Sequence, residues 1–168
     1  MIDRYQVLAE IYKENLKEFN DYQKESLKFF KQYLESFIEF FSLSPEHLLL
    51  FTWDENGSQT ADPSKALQLQ EDSFWHVRMG IKLKVKDEKL PEQNLLFEMS
   101  FKKYKGSYIM KLNSGLAVEI PFAKEKWHHH EFLKHIYDFL ADFYQNDLSK
   151  FLDKPEINRL GFDYGLKN

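Results

Sequence analysis

No cysteine occurs anywhere in the chain. That excludes a disulfide framework, a thiolate metal site and a cysteine nucleophile, and it fits a reducing, cytoplasmic setting. Glycine and proline are scarce, six and five in 168 residues. With so few glycines there is no Gly-x-x-x-x-Gly-Lys phosphate loop and no Gly-x-Gly-x-x-Gly fingerprint, and no Gly-x-Ser-x-Gly elbow is present. The serines beside glycine, Ser58, Ser107 and Ser114, all fall where turns are expected. No apolar run approaches the ~20 residues that cross a bilayer, and residues 1–10 carry acidic groups without the apolar centre of a secretory signal. Asn56-Gly57-Ser58 therefore reads as a turn rather than a glycosylation acceptor.

What the chain has in quantity is aromatic side chains. Sixteen Phe, nine Tyr and three Trp make 17% of it, enough large apolar surface to argue against disorder and for one compact domain. The net charge of −4 is unevenly spread. Between Ser73 and Lys111 nine basic residues face four acidic ones, so the middle is basic and the two ends are acidic.

The clearest pattern lies at Trp75 to Lys86. There Trp75, Val77, Met79, Ile81, Leu83 and Val85 alternate with His76, Arg78, Gly80, Lys82, Lys84 and Lys86. A strand sends successive side chains to opposite faces, which puts an apolar row on a core and a basic row outside. Similar alternation at Leu95 to Lys102, Tyr108 to Asn113 and Leu116 to Ile120, with a shorter apolar run at His47 to Trp53, gives further strands. Before them, Tyr5 to Phe41 repeats apolar residues at helical spacing. Unbroken, that helix runs roughly 60 Å, so a break at Asn20-Asp21 or a protruding end is expected. Asp62-Pro63 opens a short helix toward Leu69. Helical period returns over residues 124–152 until Pro155, with Leu133, Ile136, Tyr137, Leu140, Phe143, Tyr144, Leu148 and Phe151 on one face.

The expected fold is thus a single α+β domain over 1–168. An antiparallel meander of four or five strands (47–120) is flanked by a long N-terminal helix or helix pair (1–42) and a C-terminal helix (124–152) packed on one sheet face. The tail, 153–168, with Leu160, Phe162 and Tyr164, is aromatic enough to be expected to dock.

Two constellations could carry chemistry. Trp127-His128-His129-His130-Glu131 with His135 supplies imidazole and carboxylate, the raw material of zinc and iron sites. In a helix the spacing is poor: four residues after each of the three consecutive histidines stand Phe132, Leu133 and Lys134, and His128 and His135 lie about 10 Å apart. Only Glu131 and His135 have one-turn separation, and the set reads first as a solvated polar face at a helix start. No cofactor is expected.

The second constellation is the basic row. His76, Arg78, Lys82, Lys84 and Lys86, joined by Lys102 and Lys111 if the strands pair in sequence order, would attract an anionic partner. Sheet-based RNA readers also need exposed aromatics, and here most aromatics alternate to the apolar side. A lysine-bearing outer face also does the plainer work of keeping a one-sided sheet from pairing at its edges. The reading that follows is a non-catalytic cytosolic protein-binding or adaptor module, engaging another protein or a second copy through the long helix or the aromatic tail, with no membrane role. A nucleic-acid or phosphate binder on the basic face is the second expectation. A hydrolase or metal-dependent enzyme assembled only on folding is the third.

Overall fold

A single long helix laid across an antiparallel sheet forms the frame. The computed structural model describes residues 3–84, 86, 92–112 and 115–153, leaving aside the side chains of 143 and 146–153. Helix α1, Arg4–Phe41, starts at Asp3, whose carboxylate accepts from the N–H groups of Tyr5 and Gln6. It ends at Ser42 in the left-handed region (φ 51°), with the Ser42 and Leu43 N–H groups donating back to Glu39 and Ile38.

The break expected at Asn20-Asp21 does not occur. Both residues sit about 100° or more around the helix from the centre of the apolar stripe and are exposed, so their polar side chains meet solvent and disturb no packing. Asp21 instead lies 3.9 Å from Lys24, one turn on. The other expectation, a protruding end, describes the molecule: every residue from 3 to 21 is exposed, whereas Phe29, Phe30, Tyr33, Leu34 and Phe37 are buried.

The sheet consists of β1 (Leu48–Phe51), β2 (Leu67–Leu69), β3 (Trp75–Leu83), β4 (Gln93–Tyr104), β5 (Ser107–Leu112) and β6 (Ala117–Ile120). All pairings are antiparallel in the order β1-β3-β4-β5-β6, with β2 beside β1 along the same edge of β3. The register aligns the apolar rows, as in Val77 opposite Met99 and Met99 opposite Leu112. Trp75, Val77, Met79, Ile81, Leu95, Phe97, Met99, Phe101, Tyr108, Met110 and Leu112 are all buried. Leu83, of the same row, is exposed because β3 ends there rather than at Lys86, and Val85 lies outside the described residues.

Phe29 joins the layers, stacking on Tyr108 at 3.8 Å between centroids and meeting Phe101 at 5.2 Å. Phe30 stacks on Phe101, Phe37 meets Phe97 and Tyr22 meets Trp75, so α1 follows the inner face. Such aromatic pairs add about 0.5–1.5 kcal/mol each beyond their area.

Two helical expectations need correction. The segment opened by Asp62-Pro63 makes only one turn, α2 (Pro63–Ala66), before Leu67–Leu69 joins the edge of β3. Backbone pairing with a sheet edge outweighs weak local helix preference. The C-terminal helix α3, His130–Asp153, begins six residues later than expected. Lys124 and Glu125 take φ of 52° and 63° in the tight turn between β7 (Phe122–Ala123) and β8 (Lys126–Trp127), and such residues cannot open a right-handed helix. The turn is held by Trp127, which packs on Phe29, Tyr108 and Phe122.

Phe132, Leu133, Ile136 and Leu140 of α3 enter the core, while Tyr137 and Tyr144, expected on that face, are exposed. The docking expected of the tail concerns residues outside those described. Among the described residues no helix is long and apolar enough to cross a membrane.

Gly80 tests the register. It is buried mid-strand, and a Cβ there would run into the Leu95 carbonyl oxygen and lie 2.7 Å from Leu96 Cδ2. Gly80→Ala should cost about 1–3 kcal/mol by overpacking, and Ile81→Lys should unfold the domain while Lys82→Glu leaves it folded. Matched thermal melts check all three; an unshifted Gly80→Ala, or the reverse order for the other two, would contradict the face assignment.

Candidate functional site

The outer face of the sheet gathers most of the basic row. His76, Arg78 and Lys82 come from β3, Lys102 from β4 and Lys111 from β5, with Lys84 and Lys86 just past the end of β3. Sheet register decides what these side chains meet. Glu98 stands opposite Arg78, its carboxylate 3.8 Å from Arg78 Nε and 3.0 Å from His76 Nδ1. Asp72, in the turn before β3, approaches the other ring nitrogen of His76 at 2.9 Å. The imidazole is thereby clamped between two carboxylates.

Partial burial works to raise the Asp72 carboxyl, but the Phe74 N–H at 3.0 Å and the neighbouring His76 and Lys111 hold it below its ordinary value. Lys84 lies 3.6 Å from Glu92. Lys82 is half-buried and Lys86 exposed, and neither has an ionic partner among the described residues.

Aromatics share this face, Phe51 and Tyr104 among them, and two, Trp53 and Phe74, hold cations of the row. The Arg78 guanidinium lies 4.0 Å above the ring of Trp53, whose indole N–H donates to the Ala66 carbonyl at 2.8 Å. Phe74 carries Lys111 at 3.9 Å and Lys102 at 5.7 Å. Cation–π contacts of this kind contribute about 0.5–1 kcal/mol at exposed sites. Nor is the face bare of aliphatics, for Leu49, opposite Gly80, is buried on it. The row is therefore a set of cations partly neutralised by carboxylates and seated on rings. That arrangement lowers the potential offered to an anion while leaving Lys82 and Lys86 outward.

Sequence reasoning placed the cations and missed Trp53, Phe74 and the carboxylate clamp. Phe74 extends the outer alternation of β3 by one step, and Trp53 extends that of β1 through Leu49 and Phe51. Both were visible as period two carried past the strand ends.

The histidine cluster divides. His128 and His130 are exposed, but His129, expected on a solvated face, is 3% exposed. Because the helix starts at His130, His129 is its capping residue, and its carbonyl accepts from the Leu133 N–H at 3.0 Å. The ring turns inward against Phe29 and Tyr33, with Nδ1 3.2 Å from the Ser36 hydroxyl. Burial, helped by His128, pushes its pKa down to about 4. Its Nε2 and the Tyr33 hydroxyl are buried with no hydrogen-bond partner among the described residues.

A groove of about 540 Å³ runs past this point between α1 and the entrance of α3, lined by Gln32, Ser36, Glu39, Trp127, His128 and His129 among others. The Ser36–His129 contact, reaching from α1 to the residue that opens α3, fastens the two helices together beside the groove. Glu131 and His135 stand 4.0 Å apart on the outer side of α3, and among the described residues no set of three ligating side chains surrounds an ion.

His129 predicts an acid limb of stability. Folding depresses its pKa from about 6.5 to about 4, so its contribution is complete above pH 6.5 and is lost as pH falls toward 4, a change of about 3 kcal/mol in all. Denaturant unfolding of wild type from pH 7 to 4 should show this loss, and His129→Phe should flatten it; equal slopes would contradict it.

No family model, curated protein or solved structure matches this chain.

Proposed function

We propose that the chain is a non-catalytic, cytosolic protein-binding module whose docking element is the protruding half of α1. One observation carries this reading. At about 100° per residue, Tyr5, Leu8, Tyr12, Leu16 and Phe19 fall on the same helix face as Phe30, Tyr33 and Phe37. The second set is buried under the chain's own sheet, and the first is open, with exposures from 43% at Phe19 to 76% at Tyr5. Ile11 borders the open part and is also exposed.

Together these six side chains leave roughly 700 Å² uncovered, at or above the largest apolar patch a typical monomer shows. Apolar anchors at i, i+3, i+4 and i+7 spacing are how an amphipathic helix is read by a protein partner. A nucleic-acid or phosphate binder on the outer sheet face has weaker support, since Asp72, Glu92 and Glu98 already attend His76, Arg78 and Lys84.

The protein-binding reading predicts that a partner or second copy held by wild type is lost in Leu8→Glu/Tyr12→Glu while the thermal melt of the body stays in place. Light scattering and affinity capture with both proteins check it; a strict monomer with no stripe-dependent partner would overturn it. The basic-face reading predicts salt-dependent retention on heparin that disappears in Lys82→Glu/Lys84→Glu, and unchanged retention would remove it.

A further inference from the structure

We infer that the open stripe of α1 is covered by the same stripe of a second copy, the two helices running antiparallel about a two-fold axis near Tyr12. This deepens the docking reading above and rests on it. The stripe residues are spaced symmetrically: Tyr5 and Phe19 lie seven residues either side of Tyr12, and Leu8 and Leu16 lie four either side. An antiparallel two-fold pair therefore sets Tyr5 against Phe19, Leu8 against Leu16 and Tyr12 against Tyr12. Large meets large and leucine meets leucine at every layer.

The flank of the stripe follows the same symmetry. Arg4, Ile11 and Glu18 are spaced by seven and share one edge of it. A two-fold axis perpendicular to the helices brings like edges together, so Arg4 of each copy meets Glu18 of the other and Ile11 meets Ile11. Arg4 and Glu18 are exposed and make no ion pair within the chain among the described residues. A parallel pair would instead bring this edge against the edge bearing Ala9, Leu16 and Gln23, leaving both charges without partners.

Size agrees with this occupant. Two copies of the patch amount to roughly 1,400 Å², inside the range of about 1,200–2,000 Å² for standard stable interfaces. The chain's other long helix does not cover the stripe: Phe132 meets Tyr33 and Tyr137 meets Phe41, so α3 leads away from the protruding half.

The test uses the full chain. Sedimentation over a concentration series should show a reversible dimer that Leu8→Glu/Leu16→Glu renders monomeric, with the body's melt unchanged. Arg4→Glu should weaken dimerisation about tenfold by turning two attractions into repulsions, and Arg4→Glu/Glu18→Arg should restore it. Orientation is read with single cysteines in a chain that has none: Arg4→Cys and Glu18→Cys proteins, mixed, should be joined by a short thiol cross-linker, and neither alone should be.

A dimer that survives Leu8→Glu/Leu16→Glu, failure of the charge swap to restore pairing, or cross-linking of Arg4→Cys to itself would overturn the inference. A chain monomeric at every concentration that still holds a different protein through the stripe would overturn self-pairing and leave the docking reading standing. A monomer with no stripe-dependent partner would overturn both.

Discussion

The structure depends on the contact between the aromatic seam of α1 and the inner row of the sheet. Phe29, Phe30, Tyr33 and Phe37 occupy successive turns of one helix face, and Phe97, Phe101 and Tyr108 present a matching ridge across β4 and β5. Each of these rings brings about 150–250 Å² of surface to the contact. That one layer fixes which face of every strand points inward, where α3 can lie, and how far along the sheet α1 is held. Beyond Tyr22 and Trp75 the sheet ends but the helix and its stripe do not. The uncovered half of α1 is the direct outcome of a stripe longer than the surface that buries it.

The rows of β3, β4 and β5 could be read from the chain because a one-sided sheet imposes a period of two with few exceptions, and Met79, Phe97 and Met110 obey it. The start of α3 could not. Lys124 to His129 carry a helix-compatible pattern, and only the packing of Trp127 against Phe29 and Tyr108, far off in sequence, forces the turn at Lys124 and Glu125. His129 was hidden for the same reason: three consecutive histidines look alike until the helix start decides which becomes the inward cap. The reverse error occurred in α1. Asn20 and Asp21 are modest helix formers, but with no tertiary contact opposing them, propagation through both is cheaper than stopping.

The basic row illustrates a different limit. Alternation placed His76, Arg78 and Lys82 outward, yet whether they form a field or a set of neutral pairs depends on register, which brings Glu98 across from Arg78, and on a turn, which brings Asp72 to His76. A more open pair such as Arg78–Glu98 adds little stability, about 0–1 kcal/mol, but such pairs change what the face can attract. The stripe of α1 suffers no such cancellation, since apolar area left in water is unfavourable whatever its neighbours.

Hydrogen exchange along α1, followed from low to high protein concentration, tests most directly whether one continuous stripe is covered in two different ways. Residues 22–37 should be protected at every concentration by the sheet, and residues 5–19 should gain protection only as concentration rises. Rapid exchange of residues 5–19 at all concentrations, or protection there that is independent of concentration, would contradict a helix half buried by its own domain and half by a second copy.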